Sequence, residues 1–169
     1  VAAWSLEADG QSEASHVAIG HVLFYLMPYA ASNLLAFGAL IWAGSYRKEA
    51  VTYEDLTGLG RRHPWVAVPF VLAVLSLLGF PPTAGFLGKY GVIVSSLRAG
   101  GPLFWVALFG VVMSAVSAYY YLRVIVFLFM KKTEDISSPA QPMSSAFVFV
   151  ALAVCGYFVV RMGVVPEPY

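Results

Sequence analysis

Charge is the scarcest commodity in this 169-residue chain. Only 11% of its residues are Asp, Glu, Lys or Arg, where a soluble domain carries about a quarter. There is one cysteine, Cys155, which excludes a disulfide framework and any CxxC metal or redox motif. The net charge of +1 supplies no basic field for nucleic acid. HExxH, Walker, GxGxxG and nucleophile-elbow patterns are all missing, so no hydrolytic, nucleotide or metal-ligand signature stands in the chain. What is abundant is apolar surface: 60% hydrophobic residues and a mean hydropathy of +0.77. Disorder is thereby excluded, and the lipid bilayer becomes the expected environment.

The apolar stretches predict an all-α integral membrane fold of four transmembrane helices, one of them discontinuous, with spans near 16–43, 65–98, 102–130 and 145–163. Val1 to Gly10 has no basic region of the signal-peptide kind. It reads as the frayed end of a preceding helix running into a polar turn over Glu7–Glu13, so the chain is expected to be the C-terminal part of a longer protein. In the 44–64 loop, Thr52-Tyr-Glu-Asp55 has the spacing of a helix N-cap. A short surface helix is expected there, ended by Gly58 and Gly60. A second turn, rich in Thr, Glu, Asp, Ser and Pro, follows Lys131-Lys132.

The 65–98 stretch is too long for one plain span and carries Gly79-Phe80-Pro81-Pro82-Thr83-Ala84-Gly85. Two successive prolines remove two amide donors and drive the preceding residue out of the α region. The expectation is two half-helices broken at 80–83, with Pro81, Pro82, Gly85 and Gly88 forming the hinge. Broken backbone at membrane depth is tolerated only under cover of protein or a hydrated cavity, and in transporters it marks the ion or substrate site. The basic residues set direction. Arg47, Lys48, Arg61, Arg62, Lys131 and Lys132 collect on one side, which makes the 44–64 loop cytoplasmic and both ends of the chain outward-facing.

Lys89 is the residue of greatest chemical interest. It lies eight positions after Pro81 and nine before Arg98, about 13 Å from the end of its half-helix. A lysine at the centre of a span costs ~2.5–3.5 kcal/mol on insertion scales. The ammonium must pair, reach water or give up its proton, and lysine is able to do the last. Two readings follow: a proton carrier on a hydrated path, or a structural ion pair to a helix outside this chain. Gly85, Lys89 and Ser96 share one helical face. Arg123 does not release its proton, so an orienting or ion-pair role fits it better, and it is long enough to snorkel. Gly110, Ser114, Ser117 and Tyr121 form a stripe of small and hydroxyl residues, read first as helix-packing contacts and second as a lining for water. His16 and His21 are too far apart in angle to chelate a metal. His21 is a packing or hydrogen-bonding residue, with proton relay as the alternative. His63 reads as a solvated loop residue, and Cys155 as a small hydrophobe.

Four segments carry a resemblance to a known family: Leu23-Phe-Tyr-Leu-Met-Pro-Tyr-Ala-Ala-Ser-Asn-Leu-Leu-Ala-Phe37, Glu54-Asp-Leu-Thr-Gly-Leu-Gly-Arg-Arg62, Leu77-Leu-Gly-Phe-Pro-Pro-Thr-Ala-Gly-Phe-Leu-Gly-Lys89 and Ser117-Ala-Tyr-Tyr-Tyr-Leu-Arg-Val-Ile125. Together they resemble the C-terminal portion of the antiporter-like subunit N family of proton-pumping NADH:quinone oxidoreductase, respiratory complex I. The related M subunits carry glutamate where Lys89 stands. The resemblance implies a chain from the second of two inverted repeats, its broken helix bearing the family's lysine at Lys89. It further implies a bacterial inner-membrane, multi-pass location beside other membrane subunits, in particular neighbouring antiporter-like ones. The implied function is proton translocation coupled to quinone reduction, with Ser96, Tyr121, Arg123 and His21 as candidates for a proton path or orienting role. The cofactors of such a complex, NADH, FMN, iron–sulfur clusters and quinone, would lie outside this chain. A cation/proton antiporter subunit and a membrane scaffold in which Lys89 is only an ion-pair partner are the alternatives.

Overall fold

In the computed structural model the described residues are 2–44, 53, 55–130 and 146–164, with side chains in the first segment described for 16, 17 and 19–44. Among them every regular element is helical: α1 (Ala2–Ala43), α2 (Leu59–Arg62), α3 (Pro64–Leu78), α4 (Ala84–Ala99), α5 (Pro102–Phe129) and α6 (Ala146–Val164). Three helical stretches are long and apolar enough to cross a membrane, Ile19–Ala43 of α1, Pro102–Phe129 and Ala146–Val164. The apolar helix α3 is shorter, at 15 residues. That is about 22 Å of helix, below the ~30 Å of a hydrocarbon core.

The packing centre is the contact of α1 with α3, α4 and α6. Leu35, Ala39 and Ala43 of α1 meet Ala67, Phe70 and Ala73 of α3 in one buried cluster that α5 and α6 enter through Leu128 and Leu152. Small residues on α1 and α3 let the two backbones approach, as helix association in lipid requires. Trp42 and Phe149 meet edge-on with ring centroids 5.9 Å apart. Pro28 is fully buried inside α1. The opposite surfaces are apolar and open: Phe104, Trp105, Phe109, Val112 and Val116 of α5 are all exposed. An aqueous protein rarely shows so wide a contiguous apolar surface, but lipid or neighbouring helices accommodate it.

Two sequence expectations are corrected. The polar run Glu7–Glu13, expected as a turn, lies within α1, which is one uninterrupted helix of 42 residues. The run contains no proline, and although Asp9, Gly10 and Ser12 are poor helix formers, Glu7, Ala8, Gln11 and Glu13 are good ones; polarity alone does not end a helix. Gly58 and Gly60 do not terminate a loop helix either. Gly58, with φ of 73°, stands at the N-cap of α2, and Gly60 lies inside it. Tyr53 and Asp55–Gly58 form turns, tied down where the Gly58 amide donates to the Phe127 carbonyl at 3.3 Å. Thr52, Glu54, Arg47, Lys48, Lys131, Lys132 and the turn after them lie outside the described residues.

The break between α3 and α4 has a complete local explanation. Gly79 adopts φ 85°, ψ 44°, a left-handed conformation that glycine takes without a Cβ penalty. Its amide donates to the Leu75 and Ser76 carbonyls, and the Phe80 amide donates to Leu75 at 2.9 Å. This is a Schellman closure of the helix end. Pro81-Pro82, joined by a cis peptide, carries the chain across. The Thr83 amide and hydroxyl both donate to the Phe80 carbonyl, at 2.9 and 2.6 Å, and α4 begins at Ala84.

A lysine at the end of a broken helix

A helix C-terminus leaves its last four carbonyls without intrahelical partners. In α3 these belong to Leu75, Ser76, Leu77 and Leu78. The Schellman turn satisfies the first two. Lys89 satisfies the other two: its Nζ donates to the Leu77 carbonyl at 2.8 Å and to the Leu78 carbonyl at 3.2 Å. A third bond runs from Nζ to the Ser114 hydroxyl of α5 at 3.3 Å. The ammonium therefore sits at the negative end of the α3 dipole, where a cation is favoured. Its three hydrogen-bond partners are neutral oxygens.

Four glycine contacts shape this place. Gly79 leaves room for the lysine stem, since a Cβ there would lie 3.2 Å from Lys89 Cδ. Gly85 lies directly against the Ser76 carbonyl, which brings the first turn of α4 onto the last turn of α3. Gly88 faces Tyr25, where a Cβ would come within 2.8 Å of the ring. From the far side, Gly163 of α6 presses on the linker at the Pro82 carbonyl. Thr83, Ala84 and Gly85 are buried as a result, while Pro81 and Pro82 are exposed. The α1 helix contributes two further ties. The Ser32 hydroxyl donates to the Ser76 hydroxyl at 2.7 Å, both groups being fully buried. His21 Nδ1 and Ser95 Oγ are 2.6 Å apart, joining α1 to α4.

The sequence-predicted residues thus separate into groups. Lys89, Gly85, Gly88, Pro81 and Pro82 gather at the break. His21 lies on the α1–α4 seam, one turn beyond Gly88 along α4. Ser96 is turned back on its own helix, donating to the Val92 carbonyl at 2.9 Å. Tyr121 packs on the buried cluster. Arg123 is exposed, away from the break, its guanidinium 5.5 Å from the Tyr53 ring and 5.8 Å from the Phe127 ring. Two cation–π contacts hold it. Cys155 is half-buried against the core. Sequence reasoning missed the partnership of Lys89 with Ser114, and that of Ser32 with Ser76. For Ser114 a signal existed, since it belongs to the small-residue stripe of α5; for the serine pair there was none.

Residues 11–117 match the family model for the transmembrane region of NADH:quinone oxidoreductase and Mrp antiporters. The chain is 44% identical over 153 residues to NADH-quinone oxidoreductase subunit N 1 of Sorangium cellulosum, covering 90% of this chain and 30% of that one. It is 32% identical over 169 residues to NADH-quinone oxidoreductase subunit N of Cutibacterium acnes, covering 99% and 31%. Among solved structures it is similar to a chain of respiratory complex I from Thermus thermophilus with bound aureothin, with a TM-score of 0.70 and 36% identity over 85% of this chain and 31% of that one. A chain of the Mrp complex from Dietzia matches in fold, with a TM-score of 0.67, 18% identity and coverage of 87% and 34%. The chain spans about a third of the length of these relatives.

Proposed function

This chain belongs to the NADH:quinone oxidoreductase/Mrp antiporter transmembrane family, and we propose that it is the C-terminal part of a proton-translocating subunit N in the membrane arm of a bacterial NADH:quinone oxidoreductase. In this reading α3, the linker and α4 form one discontinuous span, and Lys89 carries the proton. NADH, FMN, iron–sulfur clusters and quinone belong to other parts of the complex, whose neighbouring antiporter-like subunits flank this one. The loop bearing Arg61 and Arg62 faces the cytoplasm, and both ends of the chain face outward.

The observation that carries the reading is the bonding of Lys89 Nζ to neutral oxygens at a helix break. A carboxylate partner at close range would hold the lysine permanently charged in apolar surroundings, where opposite charges attract strongly. Carbonyl and hydroxyl oxygens stabilise the ammonium by less, so a change of charge nearby can decide whether the proton stays. Redox energy released elsewhere would act through such a change, driving the Lys89 proton toward the outer side.

The test is Lys89→Arg in the intact complex, reconstituted in sealed vesicles. Arginine supplies donors for the same carbonyls but does not release its proton. Assembly with loss of NADH-driven acidification is expected. An assembled Lys89→Arg complex that pumps at the parent rate overturns the reading.

A further inference from the structure

An ammonium has three N–H donors and no acceptor, and Lys89 meets three oxygens: Leu77 O at 2.8 Å, Leu78 O at 3.2 Å and Ser114 Oγ at 3.3 Å. The set is complete for the charged form. A neutral amine has two N–H donors and one lone pair, so after proton release one of the three partners must become a donor. Peptide carbonyls only accept. Ser114 can change role, because a hydroxyl rotates and both donates and accepts. The other serines near the break are committed elsewhere. Ser117 donates to the Ser114 backbone carbonyl at 2.8 Å, Ser96 to the Val92 carbonyl, and Ser76 is paired with Ser32.

We infer that Ser114 is a positioning residue for proton transfer at Lys89, reversing its hydrogen bond with Nζ each time the lysine changes charge. The inference rests on the reading of Lys89 as proton carrier. The N–H bond directed at Ser114 breaks and leaves its electron pair on Nζ; its proton forms the new Oγ–H bond while the hydroxyl gives its former proton to water. Nζ–H···Oγ then becomes Oγ–H···Nζ, while the two remaining N–H groups keep the Leu77 and Leu78 carbonyls. No heavy atom has to move. Helix α5, which carries no charged residue near this depth, thereby joins the site through one hydroxyl. The stripe of Gly110, Ser114 and Ser117 is more than a packing face at this position.

Ser114→Ala and Ser114→Thr in the intact complex, read as NADH-driven acidification of sealed vesicles alongside NADH oxidation, test the inference. Ser114→Ala removes the group that changes role and is expected to slow pumping about three- to tenfold, the worth of one hydrogen bond. Ser114→Thr keeps the hydroxyl and is expected to restore pumping to within about twofold of the parent. A merely packing role would show the reverse order, since threonine is the bulkier substitution. If Ser114→Ala pumps at the parent rate while Lys89→Arg does not pump, the inference falls and the proton-carrier reading stands. If Ser114→Thr is as slow as Ser114→Ala, the hydroxyl is not the operative group and the inference falls. If Lys89→Arg also pumps normally, both fall.

Discussion

Lys89 Nζ and the carbonyl oxygen of Leu77 are 2.8 Å apart, although the two residues are twelve positions apart in the chain and belong to different helices. The bond closes the end of α3 with a side chain from α4, so the charged group that makes the break interesting also holds it together. Structural and conducting roles for Lys89 are therefore separable by experiment. Lys89→Met leaves the Leu77 and Leu78 carbonyls without the donor shown here, at about 1–3 kcal/mol for each carbonyl left unsatisfied. Lys89→Arg retains donors. The expected order of thermal stability in the isolated complex is parent, then Lys89→Arg, then Lys89→Met. A methionine variant as stable as the parent would mean that water or another group replaces the ammonium without cost.

The closest backbone approach at the break predicts an intolerance. Any Cβ at position 85 would meet the Ser76 carbonyl inside contact distance, and both partners are held by helix backbone. Gly85→Ala must therefore move α4 away from α3, stretching the Lys89 bonds, at a cost of about 1–3 kcal/mol or more, as on overpacking. Reduced accumulation of the subunit and a lower thermal midpoint are expected. Gly110→Ala, where a Cβ meets open space, is the matched control and is expected to be neutral.

The buried Ser32–Ser76 pair predicts a non-additive cycle. Its hydroxyls are both about 1% exposed and 2.7 Å apart. Ser32→Ala or Ser76→Ala alone leaves one buried hydroxyl without the other, costing about 1–3 kcal/mol, whereas the double alanine variant removes both groups and is expected to cost less than the sum. Denaturation of the four proteins in detergent gives the coupling directly. Additive losses would mean that each serine finds its own backbone acceptor on α1 or α3.

How far the sequence reaches is visible at these same residues. The break was legible because Pro81-Pro82 forbids continuous helix, and Lys89 because one charge in a long apolar run is conspicuous. The closing contacts were not, since hydrophobic patterning names a buried face without naming what lies opposite. Ser76 and Ser32 are ordinary small residues until α1 and α3 cross. Gly163 could not be tied to Pro82, because no local rule relates α6 to a linker eighty residues earlier. Arg123 was read as an orienting or ion-pair residue; its contacts with the Tyr53 and Phe127 rings were not legible, because a loop residue that packs back on a helix leaves no periodic trace. The Glu7–Glu13 run shows the opposite failure: polarity was taken for a helix end where no proline interrupts the helix.

Orientation gives a prediction that depends on the side chains at the two ends of the bundle. Arg61 and Arg62 at the end of α2, and Arg98 in the last turn of α4, are all exposed. In the proposed topology the first pair is cytoplasmic by the charge rule, and Arg98, one discontinuous span away, lies on the other side. Arg61→Cys should react with a membrane-impermeant maleimide only in inverted vesicles, and Arg98→Cys only in right-side-out cells. The same side for both would refute a single crossing by α3, the linker and α4.

The cover that α6 gives the linker is the last feature to test, and it bears on how a broken helix would survive at membrane depth in the proposed topology. Irregular backbone in a bilayer must be covered by protein or must line water. Here Gly163 lies against the Pro82 carbonyl, and a Cβ would come within 2.6 Å of the Ala84 amide nitrogen. Thr83 beneath it is only 4% exposed. Pro81 and Pro82 nevertheless remain open on the other side, so α6 covers one flank of the linker alone. Gly163→Ala should lift α6 and uncover that flank. In an otherwise cysteine-free protein, Thr83→Cys is expected to be inert to a water-soluble maleimide and to become reactive when Gly163→Ala is added, while a cysteine at the already exposed Pro81 labels equally in both. Equal labelling at position 83 with and without Gly163→Ala would show that the linker accommodates the methyl by shifting as a unit and that α6 is not its cover.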